Sequence, residues 1–301
     1  LLLAYDGTDF RGAAFQSDGP TIIGALTDAL LLRLSRYPES VRSLEALDIA
    51  LAGRTDAGVH GWGQVVSLLL PADCDLGATR HGLNTLLGKV IVVRQLVWAS
   101  DVGYTEEFNA RYSAASRTYR YRVFNSWFCP PTLLASHWWV REPLDVASMN
   151  LACDPLLGEH NFASFCRASV GSDGVTQTLN RYLMHAVWRE VPDRFTEEES
   201  NADLGRFPDI CRENVLNPGR SGRVLEFEIT ANAFCNQMVR AIVGLCVAVG
   251  RPSTPLRAGD VRELLLARNR DAAPPVAPAQ GLTLWSVDYN SPRYIPIGRR
   301  P

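Results

Sequence analysis

Leu47-Asp48-Ile49-Ala50-Leu51-Ala52-Gly53-Arg54-Thr55-Asp56-Ala57-Gly58-Val59-His60 is the stretch from which the rest of this chain is read. Its apolar start, Leu47 to Leu51, leads into a carboxylate flanked by glycines, and a second apolar run, Val65 to Leu70, leads away. The pattern predicts a strand, a tight loop with Asp56 at its tip, and a second strand. Glycines at 53, 58, 61 and 63 are expected to permit unusual backbone angles and to leave room for a ligand. An acid in so bare a loop, two residues from an arginine, has the setting of an ionised nucleophile. Taken alone it also reads as an Asx-turn or a helix cap.

At 301 residues the chain exceeds the size at which one core usually stops growing, which predicts two subdomains. Hydrophobic residues make up 47% and charged residues 21%, the composition of an ordinary globular protein. The formal net charge of -2 is unevenly spread. From Glu190 to Glu213 eight acids face three arginines, a local charge of -5, so the remainder carries +3. A mildly basic body with an acidic segment is compatible with an RNA partner. Of 30 Lys and Arg only Lys89 is lysine; arginine offers a planar fork for phosphates, although codon bias in a GC-rich genome produces the same excess.

The seven cysteines contain no Cys-x-x-Cys pair, and their odd number argues against a secreted disulfide framework. Most of them sit beside apolar residues and are expected to be small core fillers in a reducing compartment, the cytoplasm. Histidines 60, 81, 137, 160 and 185 have no zinc-binding spacing, so neither metal nor cofactor is expected. No apolar run is long enough for a bilayer, so no membrane partner is expected. The chain begins at Leu1 without methionine, inside an apparent strand, so a native N-terminus and any targeting segment are expected to lie before it.

Periodicity predicts a strand at 1–5, a helix at 22–34 capped by Thr21, strands at 47–52 and 64–70, a helix at 76–87 and a strand at 90–97. That is the order of a split β-α-β unit. A second half follows with a strand at 117–124, a helix at 145–157 interrupted by Pro155, and a strand pair at 178–189 and 223–230. Helices at 235–249 and 259–268 and a strand at 282–288 complete it. The expected fold class is α+β: two ferredoxin-like or RRM-like subdomains, 1–104 and 105–301, with a central antiparallel sheet flanked by helices and a catalytic cleft between them. A polar acidic insertion is expected near 191–222.

Two further stretches carry chemistry. In Arg117-Thr118-Tyr119-Arg120-Tyr121-Arg122 the tyrosines share one strand face and Arg120 and Arg122 the other. A ring for an unstacked base and cations for its phosphates is one reading; half-buried sheet tyrosines is the other. In Ala233 to Gly244 a mostly apolar helix carries Arg240 at its middle. A guanidinium there either snorkels or is buried against a carboxylate. Asp56 is the acid left wanting a partner, and Arg240 is expected to pair with it and keep it ionised.

Together these segments resemble the tRNA pseudouridine synthase A family. The matching pieces are Ala4 to Phe10, Gly53 to His60 with Gly63-Gln64-Val65, Arg117 to Tyr121, His160 to Phe165, Ala233 to Gly244, and Pro278 to Leu282, in family order across nearly the whole chain. The resemblance implies a homodimer that isomerises uridine to pseudouridine in the anticodon stem-loop of tRNA, at positions 38, 39 and 40 in the bacterial branch. It places the nucleophile on Asp56 and the stacking ring on Tyr119. Arg54, which would help displace or hold the flipped nucleotide, joins Arg240, His60 and Gln64 among the substrate-binding residues. In the family the aspartate attacks either sugar or base, a choice the sequence leaves open. Two rivals stand beside this reading: a non-catalytic RNA-binding protein on the same fold, and an aspartate-dependent hydrolase acting on a sugar. The hydrolase needs a second carboxylate near Asp56, for which Asp6 or Asp9 would serve.

Overall fold

The computed structural model describes residues 1–39, 43–104, 108–167, 178–192 and 222–290. Apart from its ends, the acidic segment anticipated near 191–222 lies outside the described residues. The chain forms two compact α+β units, Leu1–Tyr119 with Thr283–Pro301, and Arg120–Leu282. The expected break at 104/105 compares with a division inside a strand at 119/120, and the last strand returns to the first unit.

The first unit contains β1 (Leu2–Tyr5), α1 (Ile22–Arg33), α2 (Leu44–Leu47), β2 (Ala50–Leu51), β3 (His60–Ser67), α3 (Leu76–Leu86) and β4 (Ile91–Gln95). β1 lies antiparallel between β3 and β4, and β2 pairs antiparallel with β3, giving the ferredoxin-like order 4-1-3-2. The final strand, β10 (Leu282–Asp288), runs parallel to β3, with Thr283 opposite His60. Alternation along β1 and β4 turns Leu3, Tyr5, Ile91 and Val93 inward, where Ile22, Leu26 and Leu30 of α1 and Leu83 of α3 meet them. Full burial of each such aliphatic side chain contributes roughly 1.5–3 kcal/mol. Thr21 and Asp75 cap the two helices, accepting from the amides of Gly24 and Ala78.

β3 begins at His60, earlier than the predicted residue 64, and β2 is only two residues long because α2 takes up Leu47. The reason lies in the glycines. A Cβ at Gly61 would stand 2.4 Å from the Tyr5 ring, and one at Gly63 2.2 Å from the Trp285 carbonyl oxygen. They permit close packing within a regular strand, not unusual angles. Of the four glycines singled out, only Gly58 has a positive φ, 76°.

The second unit contains most of β5 (Ser116–Asn125), then β6 (Trp138–Val140), α4 (Val146–Leu151), β7 (Gly158–Asn161), β8 (Asn180–Val191), β9 (Arg223–Ala231), α5 (Met238–Gly250) and α6 (Val261–Ala267). Its strand order is β5-β9-β8-β7, with β6 parallel to β5. The helix expected over 145–157 stops at Leu151, and Pro155 sits in a separate 3-10 turn, Asp154–Leu156. α5 starts at Met238 because Gln237 takes a left-handed φ of 63°. Almost every residue of α5 is buried; Phe162, Phe165 and Phe227 fill the same unit's interior.

Four of the cysteines lie in pairs in the second unit. Cys166 and Cys235 are joined as a disulfide with Cα atoms 5.8 Å apart, and the Sγ atoms of Cys153 and Cys246 lie 3.7 Å apart. Among the described residues no helix is long and apolar enough to cross a membrane, and no three His, Cys, Asp or Glu gather as a metal site.

Candidate active site

Residues 52–59 connect β2 to β3, and Asp56 sits half-buried in that loop with Arg54 exposed beside it. The loop is held from within the first unit at several points. Gln64 is fully buried and its amide faces the Gly53 peptide: Nε2 donates to the Gly53 carbonyl at 2.6 Å and Oε1 accepts from the Gly53 amide at 3.2 Å. Gln64 thereby fixes the loop's entry. The Thr55 hydroxyl is 2.9 Å from that of Tyr5, whose phenol burial pushes up to about 12, keeping it neutral. The buried Arg117 donates from Nε and Nη2 to the Ala52 carbonyl at 3.1 and 3.0 Å, and from Nη2 to the Arg111 carbonyl at 2.5 Å.

A second segment, Asp6 to Ala13, straps the loop from the other side. Gly58 donates its amide to the Phe10 carbonyl at 3.2 Å, and Ala13 donates to the Thr55 carbonyl at 3.1 Å. Two glycines make the approach possible. A Cβ at Gly7 would stand 2.0 Å from the Val59 carbonyl oxygen, and one at Gly12, where φ is 117°, 2.6 Å from that of Thr55. The Asp6-Gly7-Thr8-Asp9 stretch opens the strap. It is closed by His60, whose Nδ1 lies 3.2 Å from the Gly7 amide and 3.1 Å from Asp6 Oδ1. Burial acts to raise the Asp6 carboxyl, but hydrogen bonds from the Thr8 hydroxyl and amide and the nearby His60 outweigh it and leave it below the usual range.

Tyr119 belongs to the same unit and is 7% exposed. A Cβ on Gly53 would come 3.3 Å from its hydroxyl, so the phenol lies against the loop's base. Burial first, then the neighbouring Tyr5, push the Tyr119 phenol upward; Arg117 acts oppositely and Asp56 adds to the rise. The Asp56 carboxylate is therefore within electrostatic reach of this ring. The first unit thus gathers five of the six predicted site residues: Asp56, Arg54, His60, Gln64 and Tyr119.

Arg240, the sixth, belongs to the second unit. It is half-buried on α5, and its Nε donates to the Ala277 carbonyl at 2.8 Å while its own carbonyl accepts from the Ala277 amide at 3.0 Å. The crossing chain comes close because a Cβ at Gly244 would stand 2.1 Å from the Pro275 carbonyl oxygen. The Tyr121 hydroxyl donates to Pro278 at 2.8 Å, and Gly281 lies where a Cβ would be 2.5 Å from the Tyr121 ring. Pro278 to Leu282 follows directly on the Ala277 contact with Arg240.

Arg120 and Arg122 do not stand open for phosphates as the strand pattern suggested. Arg120 Nη2 meets Glu228 at 2.8 Å, Arg122 meets Glu226 at 3.1 Å, and Arg189 of β8 reaches Glu226 at 2.7 Å. Burial acts to raise Glu226, and hydrogen bonds from Arg189 and Arg122 more than reverse it. The brace formed by Tyr5, Thr55, Gln64 and Arg117 was missed by sequence reasoning. Its one available signal was parity: Arg117 shares the inward strand face of Tyr119 and Tyr121.

The first unit is thus a ferredoxin-like α+β unit that carries a half-buried carboxylate on a strapped loop beside a buried phenol. Residues 152–290 match the family model described as tRNA pseudouridine synthase. A protein of Frankia casuarinae named tRNA pseudouridine synthase A is 36% identical over 96% of this chain and 88% of its own length. Proteins of the same name from Chloroflexus aurantiacus and Agrobacterium fabrum are 34% and 33% identical, over 96% and 100% of this chain and 87% and 95% of their own lengths. The chain belongs to the tRNA pseudouridine synthase family.

Proposed function

We propose that this chain is a tRNA-uridine isomerase that converts uridine to pseudouridine in the anticodon stem-loop, at positions 38, 39 and 40, acting in the cytoplasm as a homodimer. The observation that carries the reading is the strapped loop: an acid held half-buried by backbone and side-chain bonds on both flanks, within reach of the Tyr119 phenol. Family membership supplies the substrate class.

The chemistry breaks the bond from N1 to C1′, turns the ring and joins C1′ to carbon 5, whose hydrogen leaves as a proton while N1 takes one up. Atoms and electrons balance without a redox partner. Asp56 is the proposed nucleophile, on sugar or base. A base inside a stem is inaccessible, so it is swung out at a cost of a few kcal/mol, part of which stacking on Tyr119 returns. Arg54, exposed beside Asp56, holds the displaced nucleotide. His60 and Gln64 act by fixing the loop ends. Arg240 is the proposed charge partner of Asp56; Arg240→Met is expected to abolish turnover and leave the fold, and retained turnover would refute the pairing.

The test is release of tritium from tRNA labelled at carbon 5 of uridine, together with mapping of modified uridines in tRNA from cells with and without the protein. The reading expects release and loss of pseudouridine at the anticodon stem-loop. No release and an unchanged map would leave the non-catalytic RNA-binding alternative.

A further inference from the structure

The four cysteines that meet in the second unit form two pairs with different surroundings. Cys153 and Cys246 are 1% and 0% exposed, with their mutual contact first and burial second holding the Cys153 thiol above its usual range. An oxidant in water does not reach them. Cys166 is buried, but Cys235 is half-buried, in a turn that opens to solvent at Asn236. The two Cα atoms stand 5.8 Å apart, within the ordinary span of a disulfide, although 69 residues separate them in sequence.

The bond connects two turns of the second unit. Cys166 closes the 3-10 turn Ala163–Phe165, which is anchored because Ser164 donates to the Leu264 carbonyl at 2.6 Å and accepts from the Asn269 amide at 3.0 Å. Cys235 lies five residues before Arg240, in the turn whose Cys235 carbonyl accepts from Met238 and whose Gln237 adopts the left-handed conformation that starts α5. Without the bond, the turns share the hydrogen bond from the Arg167 amide to the Asn236 carbonyl, 3.0 Å.

We propose that Cys166 and Cys235 are a reversible oxidation site, with hydrogen peroxide as oxidant and a small dithiol as reductant, and that its state sets how freely the turn leading into α5 moves. The Cys235 sulfur, the more accessible, attacks peroxide and becomes a sulfenic acid with loss of one water. The Cys166 sulfur then attacks it, forming the S–S bond and releasing a second water. In reverse, a dithiol takes up the bond, returns two thiols and is itself oxidised to a cyclic disulfide. In a reducing compartment, a pair of this kind is a sensor and not a framework. Its bearing on catalysis, through Arg240, rests on the proposed function; the thiol chemistry does not.

The test uses the whole chain, reduced, desalted and exposed to a few equivalents of peroxide, then alkylated and mapped by mass spectrometry. Cys166 and Cys235 are expected to lose labelling together, appear as one cross-linked peptide and return with dithiothreitol, while Cys153 and Cys246 stay thiols. Cys166→Ser should leave Cys235 as a dimedone-reactive sulfenic acid. Amide exchange over Ala233 to Arg240 should slow by about threefold or more in the oxidised protein. Oxidation of Cys235 without cross-linking in the unmutated chain, or identical exchange in both states, overturns the proposal. If the cross-link forms and exchange slows but neither state releases tritium from labelled tRNA, the isomerase reading fails and the oxidation site stands.

Discussion

Replacing Gln64 by leucine tests whether the loop geometry depends on one buried amide. The substitution keeps the volume and removes the donor 2.6 Å from the Gly53 carbonyl and the acceptor 3.2 Å from its amide. Both peptide groups then lack their partner beside a fully buried side chain, at roughly 1–3 kcal/mol each. The added apolar burial returns about 1 kcal/mol, leaving a net loss of about 3 kcal/mol. For units of this size that lowers the melting temperature by roughly 6–12 °C. The catalytic effect is larger than the stability effect, because Gly53 sets the path to Asp56. A displacement of about 1 Å at a nucleophile costs on the order of 100-fold in rate. Gln64→Leu is therefore expected to lower kcat about 100-fold, with KM for tRNA within about twofold, when tritium release is followed below the variant's melting temperature. A variant that melts and turns over like the parent would refute the reasoning, and a rise in KM alone would assign Gln64 to substrate contact.

Gly7→Ala drives a methyl to 2.0 Å from the Val59 carbonyl oxygen and should cost more than about 2 kcal/mol and most of the activity. Gly259→Ala, where nothing lies within 4 Å, should change melting by less than about 0.5 kcal/mol; equal melting of the two variants would contradict the strap. Glu226→Gln removes the carboxylate between Arg122 and Arg189 and should cost about 3 kcal/mol at neutral pH. Because folding holds the Glu226 carboxyl below its usual value, its contribution is complete above the unfolded-state pKa and lost as pH falls through the folded one. Urea midpoints from pH 7 to about pH 3 should therefore converge for parent and variant in acid; a constant gap would show that the ladder's charge does not matter.

Much of the first unit was legible because its signals are local. The helical spacing of Ile22, Leu26 and Leu30 and the alternation of Leu3 and Tyr5 fix which faces go inward, and the order of elements then leaves few sheets to choose from. Gly61 and Gly63 were misjudged because their reason is tertiary: the Tyr5 ring and the Trp285 carbonyl are far away in sequence. β6 and β7, at three and four residues, are too short to carry a period. At the site, Asp56 stood out as an acid between glycines in a tight loop and Tyr119 by sharing a strand face with Tyr121, but the resemblance, not the spacing, gave them their roles. The roles of Gln64 and Thr55 did not stand out, since a polar residue beside a loop does not reveal which peptide group it will meet. The Cys166–Cys235 pair has no sequence signature at all at a separation of 69.

The central claim, that Asp56 is the nucleophile and the rest of the first unit its mount, is tested most directly by a single-turnover measurement on Asp56→Asn. An amide keeps the size and hydrogen bonding of the carboxylate but is a poor nucleophile. The account predicts tRNA binding within a few-fold of the parent and no release of tritium from carbon 5. Measurable release by that variant would contradict it.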